Sequence, residues 1–295
     1  MHRSAALLED LSLEITARDA ATLVARAADV PVGTRVSITH LSTESAAERR
    51  EAAVAAGQVR LVPVPHLAAR RLASEAELRA TLEGLRAHRA HERLFLVGGD
   101  PRTAAGPYGS ALDVIASGLL PAAGVVEVGI AGYPAGHPAI GDASLWAALR
   151  DKAAAIADQG LAGTITTQFS FDAEAVAQWI ERVRETGIDL PLRVGVPGPA
   201  GVRRLVAFAR RCGVATSAGI ARKYGFSLAS LAGTAGPDRF VADLAGRLEA
   251  AHGDVRLHLF TFGTLDAAID WAASAQAGAV PATRFSVPEI DSNEH

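Results

Sequence analysis

Eight short runs rich in β-branched and aliphatic residues recur along the chain at roughly 20–35 residue intervals, with alanine-rich helical patterns between them. They are Leu11–Ile15, Arg35–Thr39, Arg60–Val64, Arg93–Val97, Val125–Ile130, Gly163–Phe169, Pro191–Val196 and Val255–Phe260. Strands that alternate with helices build a parallel sheet, because each parallel neighbour needs a crossover long enough to hold a helix. Eight such units favour closure into a single (β/α)8 TIM barrel over an open sheet, and 295 residues accommodate one barrel. Between the runs, Ser74–Ala90 and Asp172–Gly187 read as amphipathic helices. In the second, Asp172 is an N-cap and Gly187 a stop, while Val176, Trp179, Ile180 and Val183 share one face. The stretch before the last run is about twice the usual unit, so extra helices are expected between strands 7 and 8, around Leu228–Leu231 and over Asp238–Ala251. The barrel is expected to occupy residues 1–285, with a polar, frayed tail over 286–295.

Composition narrows the function classes. With 49% hydrophobic and 21% charged residues a large core is available, and disorder is excluded. A net charge of -3 and 5% aromatics leave neither a basic field nor stacking platforms for nucleic acid. Cys212 stands alone, so no internal disulfide and no paired-cysteine metal box can form. Glu9 and Asp10 interrupt the N-terminal apolar run before it could serve as a signal segment, and no long apolar span occurs. A cytoplasmic protein without membrane partners is expected, with room for a homo-oligomer.

Barrel active sites lie at the C-terminal strand ends. Those positions carry Glu14, Thr39 with His40, His66, Gly98-Gly99-Asp100, Tyr133 with His137, Gln168 with Phe169, and a Pro197-Gly198-Pro199 turn. Each has a plain reading beside a chemical one. Glu14 alternates away from Leu11 and Leu13. It is either a solvated strand-end glutamate or a poorly solvated carboxyl that acts as a general acid. Gly98-Gly99-Asp100-Pro101 is either turn chemistry or a place where backbone approaches a flat ring. Arg203 and Arg204, after the seventh strand, suit either a phosphate site or a helix surface. His88 and His91 sit among arginines and read as a solvated basic helix end, so no metal site is expected. Spacing alone therefore reaches a barrel enzyme with a glutamate and an aspartate at its mouth.

Several segments, in order, together resemble the methylenetetrahydrofolate reductase family. Thr166-Thr167-Gln168-Phe169-Ser170-Phe171-Asp172 is similar to the family's I-T-Q-x-F-F-D. The run Ala131-Gly132-Tyr133-Pro134-Ala135-Gly136-His137-Pro138 is similar to its A-x-Y-P-x-x-H-P. Gly99-Asp100-Pro101, Pro65-His66-Leu67 and Ser12-Leu13-Glu14 resemble its R-G-D, P-H-L-T and S-F-E elements. The resemblance implies a folate-dependent oxidoreductase of one-carbon metabolism and methionine biosynthesis. It would pass hydride from NADH or NADPH through FAD to a methylene-folate substrate. Glu14 would be the general acid, and Asp100 would bind the pterin ring beside the flavin. Gln168 and Phe171, with Arg203 and Arg204, would contact folate. Thr39, His66, Gly98, Gly99, Asp100, Tyr133, His137 and Lys152 would line the cofactors.

The chain also departs from the pattern. His40-Leu41-Ser42 replaces the family's Y-G-A after Thr39, Gly98 replaces the arginine before G-D, and Thr264 stands where a folate-binding arginine is expected. Lys152 lies eight rather than four residues before Gly160, one helical turn further along. Relatives that transfer hydride directly from nicotinamide, or from a deazaflavin, share the same barrel and glutamate. A folate-binding module without catalysis is the reading from another class.

Overall fold

The computed structural model describes residues 6–211 and 234–278. Eight parallel strands close into a barrel: β1 (Ser12–Ile15), β2 (Arg35–Ile38), β3 (Val62–Ala68), β4 (Arg93–Val97), β5 (Glu127–Gly132), β6 (Ala162–Thr167), β7 (Leu192–Pro197) and β8 (Val255–Phe260). Each strand pairs with its neighbours in sequence, and β1 meets β8 to seal the cylinder. Helices separate most of the strands. The architecture is the (β/α)8 barrel expected from the eight runs. Between β7 and β8 stand the extra elements: helix Val202–Arg211, helix Asp238–Arg247, a 3-10 turn at Ala250–His252, and a two-residue antiparallel pairing of Ala200–Gly201 with Thr234–Ala235. The helix expected around Leu228–Leu231, Cys212 and the tail over 286–295 lie outside the described residues. Among the described residues no helix is long and apolar enough to cross a membrane.

The helices start where short polar side chains satisfy free backbone N–H groups. Ser74 accepts from Glu77 N, Ser45 from Glu48 N and Asp172 from both Glu174 N and Ala175 N, each cap contributing about 1 kcal/mol. Their apolar faces pack on the outside of the sheet: Leu78, Leu82 and Leu85 from one helix, and Val176, Trp179, Ile180 and Val183 from another, are buried. Gly187, two residues past the second helix, takes the left-handed conformation expected of a stop.

Inside the barrel the register sorts side chains by chemistry. Near the N-terminal end, Glu127 pairs across strands with Arg93, and its carboxylate holds both Arg93 (3.4 Å) and Arg35; Arg193 binds the carboxylate and the carbonyl of Asp10. Above this ionic floor come Phe95, facing Gly129, and Gly195. These glycines make room for rings. A Cβ at Gly129 would lie 2.6 Å from Phe95, and one at Gly195 would lie 2.6 Å from Phe260 and 2.3 Å from the Thr167 carbonyl. Higher still, toward the C-terminal mouth, are Glu14, His66 and Phe260.

Candidate functional site

Glu14 is the third residue of β1, between the outward-facing and fully buried Leu13 and Ile15. Its side chain, 16% exposed, turns into the barrel mouth. Two histidines face the same carboxyl oxygen: His66 from β3, with Nε2 at 3.8 Å, and His258 from β8, with Nε2 at 3.5 Å. Behind them are aromatic rings. His66 lies 4.6 Å from Phe95, and His258 meets Phe260 edge-on at 5.0 Å. Below, Ser12 Oγ donates to the Leu257 carbonyl at 3.3 Å and lies 2.8 Å from His258 Nδ1. Thr261 Oγ1 donates to the Glu14 carbonyl at 2.8 Å and fixes the end of the strand.

Burial controls the charge of this pocket. It pushes the His66 imidazole down to about 4, against the pull of Glu14, with His258 adding in the same direction. His40 is likewise pushed down to about 4 by burial, and then by Arg49, Arg71 and His66. At neutral pH both imidazoles are therefore uncharged, and neither competes as an acid to place a proton. A carboxyl beside the uncharged His66 can act as the acid of the site. Among the described residues no set of three His, Cys, Asp or Glu side chains could hold a metal ion.

The other positions singled out by the sequence lie at strand ends, in the loops that follow them and on the outer helices. Thr39 caps the end of β2, with its hydroxyl on the Ile15 carbonyl at 3.0 Å. Gly98 has open space where a side chain would stand, and Gly99 is left-handed with its absent Cβ against Ala68. Asp100 is 94% exposed on the rim, facing Arg71 at 4.0 Å, and makes no contact with Glu14. Tyr133 and His137 meet edge to face at 5.2 Å, and burial raises the tyrosine. His137 Nδ1 accepts from Ala139 N at 3.1 Å, which leaves Nε2 to carry the ring proton and donate. Gln168 bonds the Phe169 amide through Oε1 at 3.0 Å, so its NH2 group is the end available to a ligand.

Phe171 is buried against Phe169, which also meets Phe260 and Phe262; Phe262 in turn stacks on Phe208. These rings form an apolar wall on the β6–β8 side. Arg203 and Arg204 are exposed on helix Val202–Arg211, where Arg204 donates to the carbonyls of Phe262 (3.3 Å) and Gly263 (3.4 Å). Thr264 spends its hydroxyl on the Thr261 and Pro199 carbonyls. Lys152 lies half-buried on helix Asp142–Asp158; burial pushes its ammonium down to about 8, and it meets no carboxylate among the described residues.

His258 is the site residue that sequence reasoning passed over. Its signal was present: in Val-Arg-Leu-His-Leu-Phe the aliphatic residues alternate with Arg256, His258 and Phe260, so the histidine shares the interior face of β8.

Among solved structures, an uncharacterized protein from Clostridium thermocellum shares this fold, with a TM-score of 0.60 over 90% of this chain and 94% of that one. The two are 10% identical, so the likeness concerns the barrel alone; that protein binds two copies of 5-methyl-5,6,7,8-tetrahydrofolic acid. The family model described as methylenetetrahydrofolate reductase matches residues 16–224, which covers β2 through β7 and more than two thirds of the sequence. The chain belongs to the methylenetetrahydrofolate reductase family.

Proposed function

We propose that the chain reduces 5,10-methylenetetrahydrofolate to 5-methyltetrahydrofolate, with NADH or NADPH as the source of hydride and FAD as its carrier. The observation that carries this reading is Glu14, a carboxyl enclosed by His66 and His258 at the mouth of a family barrel. The methylene bridge opens when N10 leaves its carbon, and an amine leaves readily only when protonated. Glu14 gives its proton to N10, and the cation formed at N5 then lies beside the carboxylate left behind. Hydride adds to the methylene carbon, which becomes the N5-methyl group. The stacked Phe260 and Phe262 rings, backed by the buried Phe169, support the flat pterin and exclude water. The Gln168 amide supplies hydrogen bonds to its edge.

The chemistry of three positions supports the flavin part of this reading. Lys152 is an ammonium half-buried without a carboxylate among the described residues, which suits a diphosphate. Tyr133 and His137 offer a ring surface with a donor nitrogen, and Gly98 leaves open space beside them in the barrel order. When bound, FAD supplies a two-electron carrier between nicotinamide and folate. A second reading, direct hydride transfer from nicotinamide, is favoured by Gly98 itself, which leaves Lys152 as the sole cation proposed here for two phosphate charges.

The test is anaerobic oxidation of NADH or NADPH by the purified protein with 5,10-methylenetetrahydrofolate, with and without added FAD. Turnover that requires FAD supports the first reading, and turnover in flavin-free protein the second. Glu14→Gln should lower turnover at least about 100-fold while folate binding is kept. Equal activity in that variant refutes the role given to Glu14. Folate binding without turnover by the native protein would make the chain a binding module.

A further inference from the structure

Thirteen residues without helix or strand, 98–110, run from the end of β4 to helix Ala111–Ala116 and carry Gly98, Gly99 and Asp100. A loop of that length has many conformations to lose, so a single shape has to be imposed by its surroundings. Arg70, in the 3-10 turn Ala69–Arg71 that follows β3, bonds it at four points. The Arg70 N–H donates to the Gly98 carbonyl at 2.9 Å, and the Arg70 carbonyl accepts from Ala105 N at 2.8 Å. Its guanidinium donates through Nε to the Gly109 carbonyl at 2.7 Å and through Nη1 to the Pro101 carbonyl at 3.3 Å. A planar fork reaches two carbonyls at once in a fixed geometry, which the single ammonium of a lysine does not reproduce. The loop also lies close on the chain beneath it: a Cβ at Gly106 would stand 2.3 Å from the Ala73 carbonyl. Asp113 Oδ2 secures the far end by accepting from Gly109 N at 2.7 Å and Ser110 N at 2.9 Å.

Asp100 itself is 94% exposed, and Arg71 at 4.0 Å gives its carboxylate a direction but, as an exposed pair, little hold. What fixes Asp100 is its backbone, and Arg70 bonds that backbone on both sides of it, at Gly98 and at Pro101. We infer that Arg70 is a positioning residue that pre-sets the Asp100 carboxylate as an acceptor for the N–H donors of a substrate ring. The inference rests on the reductase reading, in which that ring is the pterin of folate, with its amino and ring N–H groups. A loop already held in its bound shape loses little freedom when the ring arrives, so the hydrogen bond to Asp100 appears as affinity instead of being spent on ordering. A residue that only stabilised the fold would not act on the substrate through Asp100.

Arg70→Met removes both guanidinium bonds and keeps the two main-chain ones. Hydrogen exchange read by mass spectrometry, without any ligand, should be at least about tenfold faster over 98–110 in the variant, with β3 and β4 unchanged. Unchanged exchange in the loop overturns the proposal whether or not the protein is a reductase. Absence of methylene-folate turnover in the native protein, by contrast, overturns only the reading it rests on. In the active enzyme, Arg70→Met should raise KM for 5,10-methylenetetrahydrofolate about tenfold and leave kcat within about threefold of the native value. Asp100→Asn should raise the same KM, and Arg70→Met added to it should raise KM by less than about twofold more, because the carboxylate that Arg70 places is already gone. Effects that simply multiply, or a loss confined to kcat, refute the inference. Arg70→Lys keeps the charge without the fork; it should speed loop exchange and raise KM in the same direction, and it carries the test should Arg70→Met not fold.

Discussion

Acidification should destabilise this protein through a buried histidine. His66 titrates at about 4 in the folded protein against 6.5 when unfolded, because burial penalises its charged form. Between those two values the unfolded chain binds a proton that the folded chain refuses, so stability falls as pH drops from 6.5 to 4 and levels off below. The interval of two to three pH units, at about 1.4 kcal/mol each, corresponds to a loss of about 3 kcal/mol. His40, also moved to about 4, adds in the same window but is partly exposed and contributes less. The assay is urea denaturation at a series of pH values from 7.5 to 4 for the native protein and His66→Gln. Because His40 remains in both, the difference between the two isolates His66. The native protein should lose about 3 kcal/mol more than the variant across the window. Parallel curves would show that His66 takes up its proton as readily in the folded state as in the unfolded one, and the burial penalty would be refuted.

Three further outcomes follow from other parts of the barrel. Lys152→Met should leave stability unchanged or raised, since a desolvated ammonium is removed, yet weaken FAD binding about tenfold and abolish its salt dependence in fluorescence titrations. Glu127→Gln removes the carboxylate shared by Arg35 and Arg93 on the barrel floor, and chemical denaturation should register a loss of about 3–5 kcal/mol. Gly195→Ala would place a Cβ 2.3 Å from the Thr167 carbonyl, where backbone must shift, so circular dichroism and soluble yield should show a protein that fails to fold or unfolds readily.

The fold was legible because strand runs and helical patterns have different periods, and each of the eight runs became a strand. β3 shows where that reading slips. The run was expected over Arg60–Val64, but Arg60 is left-handed and ends a turn, and the strand extends to Ala68 through Pro63 and Pro65. Prolines normally argue against an interior strand. Here β3 pairs with β2 as far as Pro65 and with β4 only from His66 onward. Val62 N bonds the β2 side, so alternation points the positions of Pro63 and Pro65 toward β4, where no ladder exists to miss their N–H groups. The site was legible only in part. Glu14 and His66 are marked by their place at strand ends, but the partnership of Ser12 with His258 spans 246 residues and exists only because β8 closes on β1. Asp100 stands at the expected turn, yet its direction is set by the loop and by Arg71 rather than by any strand periodicity.

The barrel interior keeps its permanent charges away from its acid, and this separation can itself be tested. Arg35, Arg93 and Arg193 are bound to Glu127 and Asp10 at the N-terminal floor. Glu14 pairs with Ser37, two residues and about 7 Å along the strand above Arg35, with the Phe95 ring and the buried histidines on the same level or below it. With Glu92 also at 3.5 Å from Arg93, three carboxylates face the three arginines, and their net field at the mouth is small. Glu127→Gln should therefore lower stability while leaving the pH profile of turnover in place. If Glu127→Gln moved that profile, the floor would be acting on the mouth through the barrel, and the separation of floor and site would be wrong.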